Sequence, residues 1–222
     1  MGKLIVIEGV DASGKQTQTE LLASRLPGAR KIEFPNYQSE SSALVKLYLN
    51  GAFGSKPEDV SPEAASVFFA CDRYASYKMD WGAFYRQGGV VLADRYVTSN
   101  MIHQTCKLTD PARREAFLQW LDEFEYGLMG LPRPDLVIFL DMPPEYGRQL
   151  MAHRANKSNG SDQKDIHERD EAYLRRAYEN AVAVAKRMGW YRLPCAQNGK
   201  ITSPEKIREE IWRQVQTVIT EC

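Results

Sequence analysis

The sequence predicts an α/β protein, a parallel sheet of short buried strands with helices on both faces. Three observations point there. Apolar runs of four or five residues, Leu4–Ile7, Val90–Ala93 and Leu136–Leu140, recur along the chain with helical stretches between them, the pattern of strands covered on both sides. A glycine-bearing loop, Gly9–Thr17, stands directly between the first run and the first helix. The polar signals gather at strand ends, at Gly9–Lys15, Pro35–Tyr37, Asp94-Arg95-Tyr96 and Asp141, where such sheets hold their ligands.

Each element has a local reason. Leu4–Ile7 is the first strand and Thr17–Leu26 its helix; Lys31–Phe34 leads to a second strand that ends at Phe34-Pro35. Ser61-Pro62 opens a long helix, with Ser as N-cap and Pro at the first position. Gly88-Gly89 precedes the strand Val90–Ala93, and Asp110-Pro111 opens a further helix. Pro134 precedes Leu136–Leu140, the strongest central strand. Trp190–Leu193 is the last strand, and Ser203-Pro204 caps the terminal helix. A chain of 222 residues, 43% apolar, buries one core, so residues 1–222 are expected to form one domain.

Composition excludes more than it proposes. Twenty-nine basic residues balance 29 acidic ones, so no electrostatic pull toward nucleic acid or a membrane surface is expected. Cys71, Cys106, Cys195 and Cys222 have no metal or redox spacing; they read as reduced thiols of a cytoplasmic protein, three of them small core residues. The three histidines are too scattered for a metal site. No apolar run approaches ~20 residues, and the start lacks a signal-peptide pattern.

The loop Gly9-Val10-Asp11-Ala12-Ser13-Gly14-Lys15-Gln16-Thr17 carries the clearest chemistry. Glycines let a backbone turn its N–H groups inward, and these, with the positive end of the following helix, hold phosphate oxygens. Lys15 is placed to reach the β- and γ-phosphates of a nucleotide. Gln16 departs from the pattern, standing where Ser or Thr supplies a hydroxyl to Mg²⁺, with Thr17 one place late.

Three further features admit two readings each. Asn156–Lys164 contains no apolar residue and lies between the helical stretches 145–155 and 168–188. It is either a solvated loop or a cap, at about 153–168, that closes Arg154, Lys157 and Lys164 over phosphates and excludes water. Arg95 offers a planar fork suited to phosphate, and Asp94 either holds that arginine or helps to hold Mg²⁺ through water. On the helix from Pro62, Ala64, Val67, Phe68, Cys71, Tyr74 and Ala75 make the apolar stripe, and Phe69 falls off it beside Arg73 at i+4. That pair suits a nucleobase, one group stacking and the other donating to a carbonyl; the alternative is a core Phe in a helix buried on two sides.

Taken together, these motifs resemble a family. Gly9–Lys15, Phe34-Pro35-Asn36-Tyr37, Phe69–Arg73, Asp94–Asn100, Pro132–Asp135 and His167–Asp170 are similar to thymidylate kinases of the bacterial type, in order and over nearly the whole chain. The resemblance implies a five-stranded P-loop nucleoside monophosphate kinase fold with a mobile lid, a homodimer, and the reaction dTMP + ATP → dTDP + ADP with Mg²⁺. Gly9, Val10, Asp11, Ala12, Ser13, Gly14, Lys15, Gln16 and Thr17 would bind ATP. Asp11 would meet the dTMP 3′-hydroxyl, and Pro35, Tyr37 and Arg95 the acceptor phosphate region. Phe69 would stack on thymine, Arg73 would donate to O4, and Asn100 would read the N3–H edge; His103 stands where relatives often place Tyr under the deoxyribose. Family members without Arg in the phosphate loop carry basic lids, which nominates Arg154 beside Lys15, Asp11 and Arg95 as catalytic, with Asp94 and Glu168 near the metal. Another pyrimidine nucleoside monophosphate kinase, or an inactive nucleotide-binding relative, shares the same loop.

Overall fold

The computed structural model describes residues 1–151 and 171–219. Strands β1 (Lys3–Glu8), β2 (Arg30–Glu33), β3 (Val90–Asp94), β4 (Leu136–Asp141) and β5 (Tyr191–Pro194) form one parallel sheet in the order β2-β3-β1-β4-β5. The helices between them are α1 (Lys15–Arg25), α2 (Ala43–Leu49), α3 (Pro62–Ser76), α4 (Gly82–Arg86), α5 (Val97–His103), α6 (Pro111–Leu121), α7 (Pro144–Met151), α8 (Glu171–Arg187) and α9 (Pro204–Ile219). The expected caps form: Ser61 Oγ accepts from Ala64 N–H, the Asp110 carboxylate from Ala112 and Arg113 N–H, and Ser203 Oγ from Lys206 N–H.

Strand β1 explains why the sheet reads as unbroken apolar runs. Its side chains alternate, and both sets are buried. Leu4 and Val6 pack with Val91, Ala93, Phe117 and Leu121 on one face, while Ile5 and Ile7 pack with Leu22, Ile138, Ile211 and Val215 on the other. Helices α1 and α9 cover the second face; α4, α5, α6 and α8 contribute to the first. Each fully buried Leu or Ile stabilises the fold by roughly 1.5–3 kcal/mol, so the sheet is a firm platform for what stands at its C-terminal edge.

Three expectations need correction. The apolar stripe of α3 is not its buried face: Cys71 and Tyr74 are exposed, whereas Ala65, Ser66, Ala70, Asp72, Arg73 and Ser76 are buried. A polar face can be interior here because its groups are paired; Asp72 accepts from Asn36 N–H at 2.7 Å and Ser41 Oγ at 2.6 Å. Accordingly only Cys106 and Cys195 are core thiols among the described residues, and Cys222 lies outside them. The expected last strand, Trp190–Leu193, is observed as β5 from Tyr191 to Pro194, and it is not the last; β4, expected as a central strand, does lie inside the sheet between β1 and β5. A small hairpin, β6 (Ala196–Gln197) with β7 (Lys200–Ile201), follows β5 and turns through Asn198 and Gly199, both at positive φ. Helix α6 continues directly into a π-helical turn, Asp122–Leu128.

Candidate active site

The phosphate loop leaves β1 and closes onto α1. Gly14 sits at φ 87°, a left-handed conformation that favours glycine. A Cβ on Gly9 would meet Ser13 Oγ at 2.5 Å, so the loop folds tightly only with glycine there. Lys15 is buried and its Nζ donates to Val10 O at 2.8 Å. Burial, with help from the neighbouring Arg95, lowers its pKa to about 8. Gln16 turns outward and donates to Glu20 at 3.0 Å, and Thr17 is exposed. Neither supplies the missing hydroxyl.

Arg95 follows β3 directly, held at φ 68° with its N–H donating to Ile7 O at 3.1 Å. The continued ladder brings its guanidinium to the phosphate loop. One terminal nitrogen lies 2.5 Å from Asp11 Oδ1; the other donates to Ser99 Oγ and to His103 Nε2, each at 3.2 Å. Burial opposes the charge of Arg95, but Asp11, Glu8 and Asp94 outweigh it and hold the guanidinium above its ordinary pKa. Because arginine only donates, His103 Nε2 accepts; Nδ1 then carries the proton toward Tyr173 Oη, 3.2 Å away. Glu8 is fully buried beneath this group, accepting from Gly9 N–H, Thr98 Oγ1 and Ser99 Oγ. Asp94, also buried, ends β3 opposite Ile7 and acts electrostatically on both Lys15 and Arg95.

A cleft open to solvent runs from Asp11 and Arg95 to the inner face of α3. Asp11, Pro35, Tyr37, Phe69, Arg73, Arg95, Asn100 and His103 all line it. Phe69 is half-buried, meets Tyr48 edge-on at 6.2 Å and lines the cleft. At the far end Arg73, Asn100 and Gln104 are buried. Tyr96 also reaches the wall, but it is core, fixed by donation to Pro132 O at 3.0 Å.

Four residues of this region carry no motif in the sequence. Glu8 closes a strand that is otherwise apolar after Lys3, and that lone carboxylate was the one available signal. Glu125 comes from the π-helical turn and pairs with Arg73; Tyr173 comes from α8. Gln104 lines the cleft with both amide atoms buried and without a hydrogen-bond partner among the described residues. Arg154, Lys157, Lys164 and Glu168, and with them the lid at 153–168, lie outside the described residues.

A parallel sheet in this order, a phosphate loop after its middle strand and an adjoining cleft under a short arginine-bearing turn define a P-loop kinase of the nucleoside monophosphate type. The family model for thymidylate kinase matches residues 7–207. The chain is 32% identical over 192 residues to the thymidylate kinase of Mycobacterium tuberculosis, covering 84% of this chain and 87% of that one. It is 27% identical over 180 residues to a probable thymidylate kinase of Pyrobaculum aerophilum, covering 81% and 85%. The solved thymidylate kinase of Candida albicans shares the fold, with a TM-score of 0.71 at 22% identity over 97% of this chain and 92% of that one. The chain belongs to the thymidylate kinase family.

Proposed function

We propose that this protein transfers the γ-phosphoryl group of ATP to dTMP, giving dTDP and ADP. The observation that carries the reading is the cleft: one end adjoins the phosphate loop through Asp11 and Arg95, and the other offers an aromatic face, a guanidinium and an amide. Phosphoryl transfer needs little covalent help; it needs two phosphates brought in line and their charge neutralised. Lys15 and the loop amides take the donor phosphates, while Arg95 and Tyr37 take the acceptor phosphate. Asp11 stands between them beside the acceptor sugar, over His103. Phe69 stacks on the base, Arg73 donates to O4 and Asn100 reads N3–H. Gln104, a buried amide without a partner among the described residues, joins them as a fourth reader of the base.

Mg²⁺ fits the donor set in one way. Among the described residues no group of three or more His, Cys, Asp or Glu could hold an ion. Such ions are commonly carried by phosphates and water with one or two carboxylates, and Asp94 and Asp11 both act on Lys15. When bound, the ion neutralises charge on the transferring phosphates.

The stripe of α3 that faces out, continued by exposed Leu44, Leu47 and Phe53, supports a homodimer through this face. Sedimentation measures that, and Cys71 should react slowly with a bulky thiol reagent if the face is covered. No helix among the described residues is long and apolar enough to cross a membrane, and the reading places the enzyme in the cytoplasm with its substrates. Nucleotide-dependent ADP release with dTMP, dUMP and dCMP, with and without EDTA, tests the function. The methyl of thymine is worth ~1–3 kcal/mol, so dUMP should react measurably but less well. Absence of turnover with dTMP and Mg-ATP would overturn the reading.

A further inference from the structure

Two groups of the cleft are held by one side chain. Glu125 is fully buried, as are Arg73 and Asn100 to within 2%. Its Oε2 accepts from Arg73 Nε at 2.7 Å; its Oε1 accepts from Arg73 NH2 at 2.6 Å and from Asn100 Nδ2 at 3.0 Å. The second Nδ2 hydrogen goes to Ser66 O at 3.2 Å.

This arrangement decides which way the Asn100 amide points. Both neighbours of its inner atom, a carboxylate and a carbonyl, are acceptors only, so that atom must be the nitrogen. Oδ1 is then what remains to the cleft, as an acceptor. The bidentate pair likewise uses Nε and one terminal nitrogen of Arg73, leaving the other terminal nitrogen as donor. The far end of the cleft therefore presents a donor beside an acceptor. That pair complements an imide edge, a carbonyl beside N–H, and opposes the edge of cytosine, whose amino group donates and whose N3 accepts.

We infer that Glu125 is the positioning residue that sets base specificity, by fixing Arg73 as donor and Asn100 as acceptor toward a pyrimidine imide. The inference rests on the reading of this cleft as the acceptor-nucleotide site.

The test compares dTMP with dCMP, as kcat/KM and as dissociation constant, in the wild type and in Glu125→Gln. The glutamine keeps the shape, but it offers a single acceptor and a nitrogen that turns Asn100 around or leaves Arg73 half-held. The kcat/KM for dTMP should fall by roughly 10–100-fold, the dTMP-to-dCMP ratio should narrow by about tenfold or more, and KM for ATP should stay within about twofold. A purely structural carboxylate would lower the active fraction for both nucleotides alike and leave the ratio unchanged; that result overturns the inference. Should Glu125→Gln not fold, Glu125→Asp keeps the charge beside Arg73 but cannot reach both partners, and the same ratio is read from it. Equal binding of dTMP and dCMP by the wild type overturns the reading of the cleft itself. A wild type that discriminates, with variants that discriminate equally, overturns only the role of Glu125.

Discussion

Asp11 and Arg95, 84 residues apart in the chain, meet through a 2.5 Å ion pair at the C-terminal edge of the sheet. Through it the phosphate loop and the arginine of the neighbouring cleft are one electrostatic unit. One guanidinium also reaches Ser99 and His103. An ammonium keeps the charge but cannot span these partners. Arg95→Lys is therefore expected to fold and to lose roughly 10²-fold in kcat/KM for dTMP. Steady-state kinetics check this, and a loss under threefold would remove Arg95 from the acceptor site.

The buried Lys15 gives a pH signature. Its pKa is about 8, below the ordinary 10.5, so the charged form is lost as pH rises through 8. Bound triphosphate favours the charged form. ATP binding at pH 8 should therefore take up about half a proton, and much less at pH 6.5 where Lys15 is already charged. Calorimetry in two buffers of different ionisation enthalpy measures the uptake; none at pH 8 would show that Lys15 does not meet the phosphates.

Gln104 sets stability against function. Its amide is buried without a protein partner among the described residues, and an amide left unpaired in this way costs ~1–3 kcal/mol. Gln104→Met keeps the volume and removes the penalty. The melting temperature should rise by ~2–4 °C for each kcal/mol recovered in a chain of this size, while dTMP affinity falls. A melting curve and a dTMP titration on the same sample decide it; a gain in stability with unchanged affinity would return Gln104 to the core.

Phe69 separates the two nucleotides. Phe69→Ala should weaken dTMP by ~10–100-fold, the range of base–aromatic stacking, and leave ATP nearly unaffected because Phe69 stands on α3, whereas the phosphate loop joins β1 to α1. Separate titrations of each nucleotide test it. Equal losses for both would mean that the contact with Tyr48 is the whole of its role.

The strands and the loop were legible because their signals are local. An apolar run, a glycine before a lysine and a capping serine each report on their own few residues. The orientation of α3 was not, because periodicity finds an apolar face without saying what covers it, and here the paired polar face turned inward. Glu125, Gln104 and Tyr173 reach the cleft through tertiary packing of distant elements, and nothing in their neighbourhoods sets them apart. The hairpin at Ala196–Ile201 was not read from the sequence: its Asn198-Gly199 turn is a hairpin signal, but two residues in each strand offer no alternation to detect.

The β1–β3 register carries a consequence for how this chain can vary. Ile7 stands opposite Asp94, so Glu8 and the phosphate loop leave the sheet level with Arg95. The gap between the two anion sites is thus a length counted in backbone hydrogen bonds. One step along either strand would move Arg95 by about 3.3 Å and turn its side chain to the opposite face. Side chains in the cleft can be exchanged one at a time, but this spacing cannot be adjusted in small increments. Substitutions that loosen the Leu4–Val91 and Ile5–Leu92 pairings, far from any ligand, should therefore degrade alignment abruptly rather than by degrees.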